Sequence, residues 1–176
     1  MPWRIHASKK RRQYYAIVSE FMLQQTQVKT VIPYFKKFVS NISNLKALSE
    51  SSERKILKLW EGLGYYRRAK YLHRTSKILI NDFDEKIPKK FEEIIKLPGV
   101  GEYTGKALLA LLYNKPYVPV DGNVKRVFSR LFLINANSER FHKEVRKFTN
   151  KFFYTRRNSD LAEALMEFGA LICKPQ

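Results

Sequence analysis

Two carboxylates stand where this chain could use them for acid and electrostatic chemistry. Glu20 lies inside the otherwise apolar run 17–23, and Asp121 precedes a segment with helical spacing. A carboxyl group that faces a cleft among apolar neighbours has a raised pKa and can act as a general acid near neutral pH. On the polar side of its helix, in contrast, Glu20 would be an ordinary exposed charge.

Asp121 also has a simple structural explanation, because an aspartate ahead of a helix commonly caps it. Paired with Glu20 it could instead serve in glycoside cleavage, in which one carboxyl protonates the leaving group and the other stabilises an oxocarbenium-like centre. An N-glycosidic bond to a nucleobase follows the same electronic logic. The spacing of the two residues in the sequence does not show that they meet.

Two polar and aromatic clusters have side chains suited to nucleic acid. Residues 24–27 read Gln-Gln-Thr-Gln, whose amides and hydroxyl can bond base edges or phosphates, although a polar helix end explains them equally well. Tyr65, Tyr66, Arg67 and Arg68 follow the glycines of Gly-Leu-Gly at 62–64. Such aromatics can wedge or stack against bases while neighbouring guanidiniums hold phosphates.

A glycine-rich turn, residues 97–101 (Leu-Pro-Gly-Val-Gly), separates two segments with helical spacing. Pro98 ends the first helix, and Gly99 and Gly101 permit positive φ and leave the amides at the start of the second helix uncovered. Those amides and the helix dipole favour an anion, for which a phosphate is the obvious candidate. An ordinary helix connector is the other interpretation of the turn.

The composition indicates a polyanionic partner. Thirty-four Lys and Arg residues against 16 Asp and Glu give a formal charge of +18, which favours a nucleic acid as partner. A membrane surface would also attract such charge, but the basic residues are scattered through the helical segments. No apolar run approaches the roughly 20 residues needed to span a bilayer, and no apolar signal region follows the start. The single cysteine, Cys173, fits a reducing compartment, so we expect a cytoplasmic protein associated with the nucleoid.

The elements that position these residues are all predicted as helices. The first should start near Gln13 after a basic loop at 9–12, and another should run from Arg68 to about Ile80. Pro33 should fall in a first turn or a kink. Residues 118–121 are too short for a strand and contain Pro119, so the fold class is all-α. Apolar helix faces are predicted at Tyr14, Ile17, Val18, Phe21 and Met22; at Phe91, Ile94 and Ile95; and at Val124, Val127, Phe128 and Leu131.

Five segments, taken in order, resemble the MutY-type adenine DNA glycosylases. They are VSEFMLQQTQV at 18–28, VIPYF at 31–35, GLGYY at 62–66, LPGVG at 97–101 and DGNVKRV at 121–127. This family belongs to the helix-hairpin-helix superfamily that also contains endonuclease III. The match covers nearly the whole chain, and the segment from Met22 to Val28 is the most specific part of it.

The resemblance implies a role for each motif residue. Glu20 would protonate a flipped adenine, Asp121 would stabilise the sugar cation, and Tyr103 would complete the catalytic group. Trp3, Arg4 and Asn123 would lie at the adenine pocket. The DNA-binding residues would be Gln24, Gln25, Thr26, Tyr65, Tyr66, Arg67, Pro98, Gly99, Val100, Gly101 and Lys125. Among these, Gln25 and Tyr65 would wedge into the duplex, and the turn would hold a phosphate and could also bind a monovalent cation.

Position 103 separates the chemistries of the superfamily. Bifunctional relatives have a lysine there that attacks the sugar carbon as a Schiff-base nucleophile and then nicks the strand. Tyr103 cannot form an imine, so the resemblance implies a monofunctional glycosylase that leaves an abasic site. Lys106 is the nearby rival nucleophile.

The resemblance also implies a domain plan that this sequence fills incompletely. A six-helix barrel-like domain would comprise residues 14–118, with the helix-hairpin-helix motif at about 88–112, and a second helical domain would comprise 1–13 and 119–176. Cys173 matches the first ligand of a [4Fe–4S] cluster in the family, but one cysteine cannot hold a cluster with four ligands. Members of the family usually have a helix before the Pro-Trp-Arg at 2–4, and after Cys173 they have the cluster loop and a C-terminal domain that recognises 8-oxoguanine. We expect truncation at both ends, because the first ligand position still carries cysteine; a reduced form without a cluster is the alternative.

The expected function is base-excision repair of double-stranded DNA containing adenine mispaired with guanine or 8-oxoguanine, by a monomer. A thymine glycosylase acting on T·G mismatches is the alternative within the same superfamily. The alternative from another class is a non-catalytic DNA-binding helical module. Both carboxylates are needed for the enzymatic interpretation, whereas salt-dependent DNA binding is expected from either class.

Overall fold

The computed structural model of the chain describes residues 1–4, 8–154 and 156–175. Within these residues the regular secondary structure is helical and contains no strand, which confirms the predicted all-α class. No helix among them is long and apolar enough to cross a membrane. The chain divides into two compact units, Met1–Gly101 and Glu102–Gln176. The assignment of residues 14–118 to a single domain stays a prediction.

The first unit contains six helices among the described residues. They are α1 (Lys9–Leu23), α2 (Val28–Asn41), α3 (Leu45–Glu50), α4 (Glu53–Trp60), α5 (Arg67–Phe83) and the short α6 (Phe91–Ile94). Helix α5 contacts α1, α3 and α4, and α1 also packs against α2. The long apolar stripes of α1 and α5 therefore meet in the middle of this unit.

The core of the first unit is rich in aromatic side chains. Phe35 of α2 receives the ring edges of Trp3 at 5.3 Å and Tyr15 at 5.2 Å, and Phe38 meets Trp60 edge-on at 6.1 Å. Such edge-to-face pairs add to the hydrophobic stabilisation of the buried rings. They anchor α2 against α1 and α4 although Pro33 lies inside α2.

Helix α1 begins earlier than the sequence predicts. The basic residues 9–12 form its first turn rather than a loop, because the Ser8 side chain caps the helix by accepting a hydrogen bond from the Arg11 amide. The predicted stripe from Tyr14 to Met22 is buried as expected. Helix α5 also runs beyond the predicted end at Ile80 and stops where Asp84 takes a left-handed conformation with φ +49°.

The second unit contains four α-helices and a short π-helical turn among the described residues. They are α7 (Glu102–Tyr113), α8 (Gly122–Phe132), α9 (Glu139–Phe152), α10 (Asn158–Glu167) and the turn Phe168–Ile172. Phe128 of α8 lies at the centre of its core, with the rings of Phe148 at 5.0 Å and Phe141 at 6.4 Å. This packing holds α8 against α9.

Two residues of the predicted apolar faces are not in the core. Ile95 follows the last residue of α6 and is 40% exposed, and Leu131 near the end of α8 is 62% exposed. Their neighbours Ile94, Val124 and Phe128 are fully buried. Helical spacing thus identified the two buried faces but assigned one exposed residue to each of them.

Candidate active site and DNA interface

Glu20 is a buried carboxyl on α1. Its side chain belongs to a residue only 3% exposed, within a helix whose Ile17, Val18, Phe21 and Met22 are completely buried. The interpretation of Glu20 as an exposed charge on the polar side of the helix is therefore wrong. Burial keeps this carboxyl out of bulk water, as expected of a general acid in a closed site.

The residues that follow α1 reverse the chain at the surface. Gln24 donates a hydrogen bond from Nε2 to the carbonyl oxygen of Gly99 at 3.0 Å, and the Thr26 amide bonds back to the Leu23 carbonyl at 3.2 Å. Between them Gln25 is exposed and has φ +55°. A non-glycine residue at positive φ is uncommon, and such conformations concentrate at functional sites.

The turn between α4 and α5 presents the two tyrosines. Tyr65 is 62% exposed at φ +49°, and Tyr66 is 44% exposed with its hydroxyl accepting a hydrogen bond from the Gly62 amide at 3.4 Å. The indole Nε1 of Trp60 donates to the Gly64 carbonyl at 3.1 Å. Two aromatic side chains thus lie at the surface, and the buried Trp60 fixes the backbone just before the first of them.

Arg68 does not hold a phosphate as the sequence suggested. It is 6% exposed, and its Nη1 donates to the carbonyls of Phe21 at 3.2 Å and Met22 at 2.8 Å, and also to that of Gln24. Its Nη2 donates to the Gly64 carbonyl at 3.2 Å. These acceptors include carbonyls left open at the end of α1, so both terminal nitrogens of the guanidinium are bound inside the protein, while its Nε is buried without a partner.

The glycine-rich turn is tied to α1 and α5 by side chains. The Thr75 hydroxyl donates to the Pro98 carbonyl at 2.9 Å, and the Val100 amide bonds the Leu97 carbonyl at 3.0 Å. Since C=O and N–H point in opposite directions across a trans peptide, the Gly99 N–H points away from α5. Val100 is buried, whereas Gly101 is exposed and Pro98 is half-buried.

Gly99 is required at this turn for two reasons. Its φ is +77°, and a Cβ atom there would lie 2.8 Å from the Phe21 ring and 2.8 Å from Cβ of Tyr71. The backbone of the turn therefore lies directly against α1 and α5. No side chain can separate it from the helix that bears Glu20.

In the second unit Asp121 caps α8, as the structural interpretation predicted. Its Oδ1 accepts a hydrogen bond from the Val124 amide at 2.7 Å, and its Oδ2 accepts one from Asn123 Nδ2 at 3.0 Å. Asn123 Oδ1 in turn accepts from Arg126 Nη2 at 3.0 Å, and that nitrogen also donates to the Gly169 carbonyl at 2.7 Å. Capping fixes the carboxylate in one orientation and leaves it half-buried.

Tyr103 lines a cavity of about 550 Å³ in the second unit. Its walls combine the basic side chains of Lys106, Lys125 and Arg146 with apolar and aromatic residues such as Val120 and Phe141. Lys106 forms an ion pair with Glu102 one turn before it on α7, which lowers the pKa of the Glu102 carboxyl. The structure thus brings Tyr103 and Lys125 to one cavity.

The remaining predicted site residues lie in varied surroundings. Trp3 is 6% exposed against Phe35, and Arg4 next to it is half-buried. Thr26 is also half-buried, whereas Arg67 is exposed with its guanidinium 5.3 Å from the ring centroid of Tyr71. Their proposed contacts with adenine or DNA stay predictions.

Cys173 does not form part of a metal site among the described residues. Its Sγ accepts a hydrogen bond from Arg130 Nη1 at 3.3 Å, and its carbonyl accepts one from Arg126 Nε at 2.8 Å. Nowhere in the described ranges do three His, Cys, Asp or Glu side chains gather as metal ligands. That one cysteine cannot hold a [4Fe–4S] cluster stays a prediction from the sequence.

Two arginines have structural roles that the sequence analysis missed. Arg68 stands four residues before Leu72 and seven before Thr75, on the buried face of α5, so its spacing was a usable signal. Arg126 lies inside the DGNVKRV motif, but its partners near Gly169 are distant in sequence. Nothing local could have indicated that contact.

Comparison with known proteins places these observations in a family. The family model described as HhH-GPD superfamily base excision DNA repair protein matches residues 18–153. An adenine DNA glycosylase of Buchnera aphidicola is 43% identical over 98% of this chain and 48% of its own length. Human adenine DNA glycosylase is 35% identical over 100% of this chain and 34% of its own length. The chain spans about half the length of the Buchnera relatives.

Solved structures agree with this placement. A thermostable thymine-DNA glycosylase superposes with a TM-score of 0.82 at 28% identity, covering 100% of this chain and 80% of that one. A trapped endonuclease III–DNA covalent intermediate superposes with a TM-score of 0.78 at 20% identity, over 99% of this chain and 79% of that one, which shows the shared fold. With its fold, its motifs and most of its length accounted for in this way, the chain belongs to the HhH-GPD superfamily of base excision DNA repair proteins.

Proposed function

We propose that this chain hydrolyses the N-glycosidic bond of adenine mispaired with 8-oxoguanine or guanine in double-stranded DNA, and leaves an abasic site. The observation that carries the proposal is the burial of Glu20 within the apolar stripe of α1, the position where this chemistry needs a proton donor. Relatives named adenine DNA glycosylase, 43% and 39% identical to this chain, support adenine as the base.

In the proposed reaction Glu20 donates its proton to a ring nitrogen of the flipped adenine. The bond between the sugar carbon and the base then breaks with both electrons going to adenine, which leaves as a neutral molecule. Asp121 stabilises the oxocarbenium-like sugar, and water adds to the sugar carbon and gives a proton to the Glu20 carboxylate, which restores the acid. Asn123 would assist by holding the Asp121 carboxylate in one orientation, since it donates to Oδ2.

Flipping is needed because the glycosidic carbon is not approachable inside the stacked duplex. Gln25 and Tyr65, both exposed and both at positive φ, are proposed to fill the space that the flipped base leaves. The turn at 98–101 is proposed to bind a backbone phosphate through amides such as that of Gly99. Trp3, Arg4 and Asn123 are proposed to line the adenine pocket, and the chain is proposed to act as a monomer.

The test is base release by the purified chain from three duplexes under single-turnover conditions. These carry 8-oxoguanine·A, G·A and T·G mismatches. We expect adenine from the first two and no thymine from the third. Release of thymine alone would favour the thymine glycosylase, which the structural similarity to a thymine-DNA glycosylase makes the relevant competitor. Binding without release of any base would support the non-catalytic alternative.

A further inference from the structure

One buried guanidinium joins the two segments proposed to enter the DNA. Arg68 donates from Nη1 to the carbonyls at the end of α1, of which that of Gln24 is the last, and from Nη2 to the Gly64 carbonyl. Gln24 directly precedes Gln25, and Gly64 directly precedes Tyr65. The same side chain therefore binds the peptide group before each of the two exposed residues.

Binding these carbonyls restricts the next residue of each segment. Because a peptide group is planar, fixing its carbonyl oxygen also fixes the nitrogen and Cα of the residue after it. Both of these residues are in the left-handed region, with φ +55° at Gln25 and +49° at Tyr65. Side chains other than glycine adopt that region only when their surroundings impose it. Arg68 restrains the backbone in this way at both Gln25 and Tyr65.

The Tyr65 ring is held by the same arginine. The guanidinium carbon lies 5.3 Å from the ring centroid of Tyr65 and 5.6 Å from that of Trp60. Trp60 also donates to the Gly64 carbonyl, so this carbonyl has two buried donors. The Tyr65 ring remains 62% exposed, so a partner can reach it although the backbone before it is held by Arg68 and Trp60.

We propose that Arg68 is a positioning residue, which holds Gln25 and Tyr65 at a fixed spacing as a paired wedge for the DNA duplex. The inference rests on the proposed function, because it assumes that these two side chains enter DNA. Arg68 itself touches no DNA, since it is buried and its terminal nitrogens are bound to backbone carbonyls.

A lysine at position 68 could not make the hydrogen bonds that Arg68 makes to both segments. The planar guanidinium reaches carbonyls of two separate segments from two different nitrogens, whereas an ammonium donates from one point. Arg68→Lys keeps the buried positive charge while it removes the link between the segments. Arg74→Ala is the matched control, because Arg74 is exposed on the same helix and its removal deletes a charge without touching either segment.

The experiment uses an 8-oxoguanine·A duplex that carries 2-aminopurine beside the mismatch, whose fluorescence rises when the neighbouring base leaves the stack. With saturating wild-type protein we expect a clear rise, and with Arg74→Ala a similar one. Arg68→Lys should lose most of the rise and slow single-turnover adenine release about 10–100-fold, as expected for a misplaced wedge. Its Kd for fully paired duplex should stay within about twofold of wild type, because no phosphate contact is removed.

A mutant cycle separates positioning from a general loss of stability. If Arg68 acts through Gln25 and Tyr65, Arg68→Lys should have almost no further effect on the fluorescence rise in a background that carries both Gln25→Ala and Tyr65→Ala. If circular dichroism shows that Arg68→Lys does not fold, Gly64→Ala is used instead. That Cβ would meet no atom within 4 Å, but φ +77° disfavours alanine and would displace the carbonyl that Arg68 binds.

Three results would overturn the proposal. The first is a fluorescence rise as large as that of wild type in Arg68→Lys, or in Gly64→Ala if it replaces that variant. The second is an additive effect of Arg68→Lys in the background that lacks both wedge side chains, and the third is no rise with saturating wild-type protein. A rise without release of adenine would instead count against the proposed function alone, because unstacking does not depend on which bond is cleaved. The experiment therefore distinguishes failure of the positioning proposal from failure of the proposed function.

Discussion

Among single residues, Tyr103 determines which of two reactions the proposed site can perform. A phenol oxygen cannot form an imine with the sugar, and Lys106 one turn later is occupied in an ion pair with Glu102. We therefore predict that borohydride traps little or no covalent complex with abasic DNA. Strong trapping by wild type that disappears in Lys106→Ala would show a lyase and contradict the monofunctional mechanism.

Gly99 gives a second prediction at the residue scale. Gly99→Ala forces alanine to φ +77° and places Cβ 2.8 Å from Phe21 and from Tyr71. Strain in the left-handed region and overpacking together should lower the free energy of unfolding by about 2–4 kcal/mol. Urea denaturation measures this change. Gly101→Ala is the control, since its Cβ would meet no atom within 4 Å, and an equal loss in both variants would contradict the explanation.

Among the helices, α3 and α5 are joined by a buried histidine that makes stability depend on pH. His73 Nε2 lies 3.3 Å from the Ser49 carbonyl, and burial, with Lys77 nearby, lowers the pKa of its imidazole. A base with a lowered folded-state pKa binds fewer protons when folded. Its stabilisation is therefore complete above about pH 6.5, the ordinary histidine pKa, and is lost as the pH falls below that value.

The measurement is the free energy of unfolding in urea between pH 5 and pH 8. Wild type should lose more stability on acidification than His73→Gln, which keeps an amide donor but cannot be charged. Comparison of the two proteins at pH 8 provides the control for the substitution itself. Equal slopes with pH for both proteins would mean that His73 does not contribute to the pH dependence.

Hydrophobic periodicity predicted the buried faces of the helices well, but it predicted poorly those helix ends that are set by capping side chains. The buried stripe of α1 followed from spacing alone, whereas its start at Lys9 depends on the Ser8 cap. Asp121 was predicted as a cap and is one, and this same contact orients the proposed catalytic carboxylate. Arg68 was assigned to the surface with its neighbours, although its helical spacing with Leu72 and Thr75 places it on the buried face of α5. The carbonyls that it binds on α1 lie more than forty residues away and leave no local pattern.

For the molecule as a whole, the formal charge of +18 predicts DNA binding that weakens steeply with salt. Lys125 is exposed and is proposed to contact DNA, so Lys125→Gln should make the slope of log K against log salt shallower by about 0.9. Fluorescence anisotropy with fully paired duplex over a range of salt concentrations measures both slopes. An unchanged slope would remove Lys125 from the proposed phosphate contacts.

The central claim is that Glu20 and Asp121 cleave the glycosidic bond, and one measurement tests it directly. Adenine release from an 8-oxoguanine·A duplex is compared under single-turnover conditions for wild type, Glu20→Gln and Asp121→Asn. Asparagine still caps a helix, and glutamine nearly matches glutamate in shape, so both variants should fold and bind the duplex.

We predict release by wild type, a rate about 10²–10⁴-fold lower in Glu20→Gln through loss of the acid, and a rate about 10²–10³-fold lower in Asp121→Asn through loss of charge stabilisation. Wild-type protein that binds the duplex and releases no adenine, or a Glu20→Gln variant as fast as wild type, would contradict the proposed mechanism.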